Sequence, residues 1–236
     1  MQELRGEAAL TVLTDPTFVV PPVPSLPPLP AGARGIAWLR ASVGRFSTGP
    51  DHERRRALAV KIIDRVPPAE LRRSNDEHPV AALARAMGIG AVVDLVREIA
   101  QAYRPGTGDE PRADAAVESL IVALSGGHDE ETAARIGVLV QACDATAALI
   151  DRLRDRPLAE VLRDDPPVPF TKRQATVATT FAGGAVVGAG EEVAVALNGE
   201  LAFGAGPRRC PGRAHAMALA GLTPTHPLPA TSPSGP

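Results

Sequence analysis

The chain is poor in lysine, cysteine and aromatic residues. Of its 236 residues only Lys61 and Lys172 are lysines, so arginine carries almost all of the positive charge, and a guanidinium favours bidentate binding of carboxylates. The formal net charge of -2 favours neither a nucleic acid nor an anionic membrane as a partner. Two cysteines, Cys143 and Cys210, are too few for a disulfide framework and suit a reducing cytoplasm as free thiols.

The sequence also has none of the features of an exported or membrane-bound protein. The N-terminal stretch MQELRGEAAL contains two acidic residues and no basic stretch followed by an apolar run, so it does not resemble a secretory signal. Residues 16–33 are crowded with proline, and residues 174–190 are too short and too rich in threonine and glycine to span a bilayer. We therefore expect a cytoplasmic chain without a membrane anchor.

The residues that are present predict one folded body between two proline-rich ends. Hydrophobic residues make up 44% of the chain, which is enough for a buried core. Residues 1–34 include VVPPVPSLPPLP at 19–30, where proline recurs too often for a helix or a central strand, so we expect an extended N-terminal arm. Residues 35–222 are expected to form a single domain, and residues 223–236 a flexible tail.

Apolar residues at helical spacing predict mainly helical structure as far as residue 163. Helices are expected from Pro50 to Asp64, within 80–103, after the proline and glycine break at 104–112, from Glu130 to Pro157, and over 158–163. Residues 168–202, rich in valine, threonine and glycine, predict two or three short strands, and a last helix is expected near Pro211. The predicted fold class is mainly α with a small β portion.

The segment with the clearest chemistry is LAFGAGPRRCPGRAHAMALAGL, which places Cys210 among glycines and arginines just before a helix. Arg208, Arg209 and Arg213 create a positive potential of the kind that lowers a thiol pKa, and the thiolate is the form of cysteine that binds metals. Glycines allow backbone N–H groups to approach the sulfur and temper its electron donation to a metal. These residues predict a metal-binding thiolate, against the alternative of an inert buried cysteine after a glycine turn.

The same segment resembles the haem-binding loop of the cytochrome P450 family, F-G-x-G-x-(H/R)-x-C-x-G. Every fixed position of the pattern is matched, by Phe203, Gly204, Gly206, Arg208, Cys210 and Gly212. The resemblance implies a truncated cytochrome P450-like fold and a haem b cofactor (heme b, iron protoporphyrin IX) with the Cys210 thiolate as the axial ligand of the iron. It also implies that Phe203 packs near the porphyrin and that Arg208 pairs with a haem propionate.

Two further segments resemble cofactor-binding and fold-stabilising positions of this family. His52 and Arg56 in DHERRR match H-x-x-x-R, and a spacing of four puts both on one helix face; the alternative is a solvated basic face. In PLAEVLRDDPPVPFTKRQA, Glu160 and Arg163 match the family's E-x-x-R, which implies an ion pair between them. Arg173 matches a further propionate ligand, and a guanidinium fork suits a carboxylate.

A fourth match concerns oxygen activation and is incomplete. QACDATA resembles the family's A-G-x-(D/E)-T-T, with Asp144 at the acid and Thr146 at the second threonine, but Ala145 stands at the first threonine. The resemblance implies catalytic roles for Asp144 and Thr146 in proton delivery, whereas Ala145 has no hydroxyl. Thr146 lies about 100 degrees further round a helix, so it replaces the first threonine only if the helix is distorted. We expect Cys143 to be a packed thiol.

The resemblance implies a haem-thiolate oxidoreductase, of monooxygenase type, that inserts one oxygen atom from dioxygen into a small organic substrate. The sequence contains no flavin, nicotinamide or iron-sulfur motif, so electrons are expected from a separate ferredoxin and ferredoxin reductase or another donor. Two features leave an alternative function open. One is Ala145, and the other is a chain too short for all the helices that normally cover the family's substrate pocket. The alternative is a degenerate haem-binding or scaffold protein that acts as a sensor, carrier or partner. A zinc or redox-thiol protein is a further alternative, but the histidines and cysteines lack paired-ligand spacing.

Overall fold

The structure, a computed structural model, describes residues 1–22 and 32–222. The chain divides into two compact units. Of the described residues, the sheet unit contains 1–21 and 148–213, and the helical unit contains 22, 32–147 and 214–222. Each unit has a hydrophobic core of its own.

The described residues form six strands and nine α-helices. In chain order the first elements are β1 (Gln2–Leu4), α1 (Gly6–Thr14), β2 (Phe18–Val19), α2 (Gly35–Ser42), α3 (Gly49–Ile63), α4 (Pro79–Ala86) and α5 (Val93–Ala102). The chain continues with α6 (Glu110–Ala123), α7 (Glu130–Arg152), α8 (Leu158–Asp164), β3 (Phe170–Ala175), β4 (Thr179–Thr180), β5 (Val186–Val187), β6 (Glu192–Ala196) and α9 (Arg213–Leu219). The predicted fold class, mainly α with a small β portion, is confirmed.

Helix starts in the helical unit follow from local chemistry. Pro50 lies in the first turn of α3, where its fixed φ suits the helix and its missing N–H leaves no hydrogen bond unmade. Asp109 caps α6 by accepting a hydrogen bond from the Arg112 N–H at 3.1 Å, and Asp129 accepts one from the Thr132 N–H at 2.8 Å at the start of α7. These caps satisfy backbone donors that have no partner within the helix.

Helix α7 contributes a continuous apolar face to the core of the helical unit. Ile136, Leu139 and Cys143 are 0% exposed, and their spacing of three and four places them on one face. Ile99 of α5 and Leu120 of α6 belong to the same buried cluster. Full burial of a side chain such as leucine stabilises the folded state by roughly 1.5–3 kcal/mol, so this face holds the helical unit together.

The same helix is long and apolar enough to cross a membrane, judged by length and composition. Within its most apolar stretch, however, 56% is buried inside the protein. Because a buried core helix passes the same test, the length and composition of α7 do not by themselves indicate a membrane span.

The sheet unit is built on a four-stranded sheet in the order β1-β6-β3-β2. β1 runs parallel to β6, while β3 is antiparallel to both β6 and β2. Val193 and Val195 of β6 are 0% exposed and alternate with the less buried Ala194, so one face of the strand packs on the core. Val12 and Leu13 of α1 belong to that core. β4 and β5 form a separate two-stranded sheet.

Residues 2–19 correct the prediction of an extended N-terminal arm. β1 pairs with β6 and β2 pairs with β3, and Leu4 and Phe18 are buried in the core of the sheet unit. The prediction is wrong here because strands of three and two residues are too short to show a period, and they form only by pairing with distant strands. The proline-rich residues 23–31 and the predicted tail 223–236 lie outside the described residues.

The other predicted elements are confirmed with shifted boundaries. α3 covers Gly49–Ile63, and α8 and α9 lie where short helices are predicted. The long helix α7 ends at Arg152, before Pro157. Residues 168–202 contain four strands rather than two or three, because β4 and β5 have only two residues each and give no alternation to detect.

Candidate functional site

Cys210 lies in a tight loop between β6 and α9. Its N–H donates a hydrogen bond to the Phe203 carbonyl oxygen at 2.8 Å, and the Gly204 N–H donates to the Leu201 carbonyl oxygen at 2.7 Å. Gly204 and Gly206 have φ angles of 70° and 64°, in the left-handed region that glycine adopts most readily. The glycines of the sequence pattern therefore give the loop its shape.

Gly206 is also required by packing. A Cβ atom at this position would lie 2.4 Å from the Leu13 carbonyl oxygen and 3.1 Å from the Thr14 Cα. Both atoms belong to the backbone at the end of α1, so no side-chain rotation relieves the contact. A Cβ at Gly204 would meet nothing closer than the Arg209 Cα at 3.7 Å, which is an ordinary contact. The loop is thus seated on α1 at Gly206.

The two cysteines have opposite environments. Cys210 is exposed, whereas Cys143 is buried in the helical unit. Burial raises the pKa of the Cys143 thiol to about 12, and the charge of Asp144 and a hydrogen bond to it act in the same direction. Cys143 is therefore confirmed as a packed thiol, and Cys210 is the accessible one. Across the described ranges no group of three or more His, Cys, Asp or Glu side chains is arranged to hold a metal ion, as a zinc site would require.

Three arginines belong to the loop and to the start of α9. The guanidinium carbon of Arg213 lies 5.7 Å from the centre of the Phe203 ring, which is a cation–π contact. Arg208 is half-buried and Arg209 is exposed. Phe203, Arg209, Arg213 and Glu200 border an open cleft of about 290 Å³. Sequence reasoning missed the contact between Arg213 and Phe203, because the loop pattern does not fix where either side chain turns.

Arg173, the predicted propionate ligand on β3, is 6% exposed. Its guanidinium donates hydrogen bonds to Thr171 Oγ1 at 3.0 Å and to the Lys172 carbonyl oxygen at 2.8 Å. Burial of a permanently charged group requires hydrogen-bond acceptors around it. The structure therefore places Arg173 in the same unit as Cys210 and Phe203, with its side chain held on a strand inside the sheet.

The E-x-x-R residues do not form the ion pair that the resemblance implies. Arg163 donates two hydrogen bonds to Asp164, from Nε to Oδ1 at 2.9 Å and from Nη2 to Oδ2 at 2.8 Å. Glu160 acts on Arg163 only through its charge. The implied pair is wrong because a carboxylate next to Arg163 in the chain offers both oxygens to the guanidinium fork.

His52 and Arg56 lie one turn apart on one face of α3. His52 is 8% exposed and Arg56 is half-buried. A Cβ at Gly44 would lie 3.4 Å from the backbone nitrogen of Arg56 and 3.7 Å from His52 Cδ2. The chain before α3 therefore packs closely on this face. Arg54 and Arg55 instead bind a carboxylate at the start of α7. The burial of His52 argues against the alternative of a fully solvated basic face.

The structure places Asp144 and Thr146 on different sides of α7. The helix is continuous from Glu130 to Arg152, so side chains two residues apart point about 200 degrees apart round its axis. Asp144 is exposed, whereas Thr146 is 4% exposed. Between Glu130 and Arg152 the helix shows no break that would bring Thr146 to the position of Ala145.

Sequence reasoning missed two residues, His78 and Arg97, that interact electrostatically with or beside Asp144. Burial lowers the pKa of His78, the charge of Arg97 lowers it further, and the charge of Asp144 acts in the opposite direction. Arg97 also influences the thiol of Cys143. His78 immediately precedes α4, Arg97 lies in α5 and Asp144 lies in α7, so only tertiary packing brings them together, and no spacing in the sequence indicates it.

Comparison with known proteins identifies the fold. No protein-family model matches the sequence, and no curated protein sequence matches it. The structure is similar to the crystal structure of P450BioI in complex with hexadec-9Z-enoic acid ligated acyl carrier protein, with a TM-score of 0.63 and 18% identity, covering 91% of this chain and 81% of that chain. It is similar to CalO2, with a TM-score of 0.60, 19% identity and coverage of 93% and 81%. The LnmA cytochrome P450 hydroxylase of Streptomyces atroolivaceus S-140 matches with a TM-score of 0.60, 18% identity and coverage of 90% and 77%. The chain therefore has the cytochrome P450 fold.

Proposed function

We propose that the chain binds haem b with the Cys210 thiolate as axial ligand and inserts one oxygen atom from dioxygen into a small organic substrate. The observation that supports this most strongly is the exposed Cys210 on a hydrogen-bonded glycine loop, in a chain with the cytochrome P450 fold. A fold kept only as a scaffold has no physical need for an electropositive cysteine loop. LnmA, which shares the fold, is a hydroxylase, and hydroxylation is a reaction of the proposed type.

The residues of the sheet unit fit this cofactor. Cys210 offers an accessible sulfur, and arginines beside it favour the thiolate. Phe203 is half-buried and offers an apolar ring to the porphyrin. Arg208 and Arg173 each carry a guanidinium, which suits the carboxylate of a propionate. When bound, haem supplies an iron centre that activates dioxygen, and thiolate ligation favours that chemistry.

His52 and Arg56 of the helical unit are the further propionate partners in this proposal. The buried imidazole and the half-buried guanidinium share one face of α3. Both groups donate N–H hydrogen bonds, and a carboxylate accepts them. Substitution of either residue by alanine is expected to weaken haem retention without changing the ligand of the iron.

Asp144 and Thr146 would contribute to proton delivery in different ways. The exposed Asp144 carboxylate is in contact with bulk water. The Thr146 hydroxyl, 4% exposed, donates and accepts hydrogen bonds away from bulk solvent. Ala145 offers no hydroxyl between them, so we expect proton delivery to depend on water molecules more than on a side-chain relay.

Electrons would come from a separate donor such as a ferredoxin with its reductase. Arg209 is exposed, and Arg213 borders the cleft beside the cysteine loop. Positive side chains on a surface steer the approach of an acidic partner. This part of the proposal predicts that reduction of the protein by an acidic donor slows as ionic strength rises.

A second candidate function is supported by the geometry of α7. The unbroken helix puts Asp144 and Thr146 on different sides, and Ala145 cannot replace the missing threonine. A chain of this kind can keep haem and still fail to activate dioxygen. The second candidate is therefore a haem-binding sensor, carrier or partner protein without monooxygenase activity.

Dioxygen consumption by the haem-loaded chain separates the two functions. The chain is supplied with ferredoxin, ferredoxin reductase, NADPH, ¹⁸O-labelled dioxygen and a panel of small organic substrates. The proposal predicts substrate-dependent dioxygen uptake and product that carries a single ¹⁸O atom, both lost in Cys210→Ala and both kept in Cys143→Ala. Bound haem without substrate-dependent uptake for any donor would overturn the monooxygenase and favour the sensor or carrier.

A further inference from the structure

We propose that Arg213 is a positioning residue for Cys210: its guanidinium holds the Phe203 ring, and the Phe203 carbonyl in turn holds the Cys210 N–H. The effect on the bound cofactor rests on the proposed function. The contact itself is a property of the loop and can be tested separately.

Two contacts join the three residues in series. The guanidinium carbon of Arg213 lies 5.7 Å from the centre of the Phe203 ring. The Cys210 N–H donates to the Phe203 carbonyl oxygen at 2.8 Å. Because the ring and the carbonyl are both attached to the Phe203 Cα, a displacement of this residue moves both. Arg213 therefore restrains the group that fixes the backbone of the cysteine.

The charge of Arg213 has no other partner in the part of the chain that the structure describes. Within that part Arg213 forms no ion pair, although Glu200 borders the same cleft. Phe203 and Arg213 are both half-buried, and cation–π attraction is stronger when the pair is shielded from water. Among the described residues the guanidinium therefore binds the Phe203 ring and no carboxylate.

Three substitutions separate the parts of this arrangement. Arg213→Gln removes both the charge and the planar cation. Arg213→Lys keeps the charge but replaces the planar guanidinium with a compact ammonium that does not stack flat on a ring. Phe203→Leu removes the ring and keeps an apolar side chain. Arg154→Gln is the matched control, because it removes one exposed arginine from the same unit, where its partner is Asp151.

The first readout is hydrogen exchange of the Cys210 amide in the full chain. Arg213→Gln and Phe203→Leu are each expected to raise its exchange rate about two- to five-fold, the factor that corresponds to the strength of a partly exposed cation–π pair. Since both substitutions break the same contact, the double variant is expected to exchange no faster than the faster single variant. Arg154→Gln should leave the rate unchanged.

The second readout is spectroscopic and uses the haem-loaded chain. The red-shifted Soret band of the reduced carbon monoxide adduct reports ligation of the iron by the thiolate. In Arg213→Gln a smaller fraction of the reduced adduct is expected to show this band, because the backbone of the cysteine is less firmly held. In Arg213→Lys that fraction should lie between the values for Arg213→Gln and the unsubstituted chain, because the lysine restores the charge alone.

The outcomes distinguish this inference from the proposed function. A thiolate-type band in the unsubstituted chain, with amide exchange equal in Arg213→Gln and Arg154→Gln, would contradict the positioning role. Fully additive effects of Arg213→Gln and Phe203→Leu would also contradict it. Faster amide exchange, with no thiolate-type band in any variant, would overturn the haem proposal and leave the contact established. If Arg213→Gln does not fold, Arg213→Lys carries the exchange test, with a smaller increase expected.

Discussion

Gly206→Ala tests how the cysteine loop is seated on α1. At a φ of 64° an alanine adopts the left-handed conformation at a cost of about 1–2 kcal/mol. Its Cβ would lie 2.4 Å from the Leu13 carbonyl oxygen, and relief of such overpacking by a backbone shift typically costs about 1–3 kcal/mol. We therefore expect the substitution to lower the free energy of unfolding by about 2–5 kcal/mol.

Gly204→Ala provides the matched control in the same loop. Its φ of 70° imposes the same conformational cost, but the nearest atom to the new Cβ is 3.7 Å away. Gly204→Ala is therefore expected to lower the free energy of unfolding by about 1–2 kcal/mol. Urea unfolding followed by circular dichroism measures both variants against the unsubstituted chain. Equal decreases in the free energy of unfolding of the two variants would refute the argument that Gly206 is needed for contact with α1. Of the two variants, only Gly206→Ala is expected to retain less haem.

The remaining predictions concern the helical unit and the two thiols. Hydrogen bonds from two arginines of α3 hold the pKa of Glu130 at about 2, below its usual 4.5, so its carboxylate stabilises the fold above pH 4.5 and this contribution is lost as the pH falls through about 2. Glu130→Gln is expected to lower the free energy of unfolding by about 1 kcal/mol or less at pH 7 and by clearly less near pH 2, where part of the Glu130 carboxylate is protonated in the folded state; urea midpoints at the two pH values check this. Leu139 is fully buried, so Leu139→Ala leaves a cavity in the core and is expected to lower the free energy of unfolding by about 2–5 kcal/mol. A decrease below 1 kcal/mol in urea unfolding would contradict the described packing. Iodoacetamide is expected to modify Cys210 and spare Cys143, because burial raises the pKa of the Cys143 thiol to about 12, and mass spectrometry of the digested protein shows which thiol has reacted.

Local signals in the sequence predict the cysteine loop and the main helices. The glycines around Cys210 indicate a tight loop, because two of them adopt positive φ angles that other residues avoid. The apolar face of α7 is visible because Ile136, Leu139 and Cys143 recur at helical spacing. The fold class and the position of the cysteine loop follow from such short-range patterns.

Contacts between distant segments are not visible in the same way. β1 and β2 form only by pairing with β6 and β3, which lie much later in the chain. The sequence of β1 and β2 alone therefore predicts an extended arm. The contact of Arg213 with Phe203 depends on side-chain rotamers that a motif does not encode. Arg163 forms its hydrogen bonds with Asp164 and not with Glu160 because of where the two carboxylates lie relative to its guanidinium. Tertiary geometry decides each of these cases.

The measurement that tests the central claim most directly is the carbon monoxide difference spectrum of the reduced chain, expressed with haem supplied, beside Cys210→Ala. The account predicts a strongly red-shifted Soret band in the unsubstituted chain that is absent from Cys210→Ala, because the thiolate is the axial ligand. Cys143→Ala should keep the band, since that thiol is buried in the helical unit. Absence of haem uptake, or a band that survives the loss of Cys210, would contradict the account.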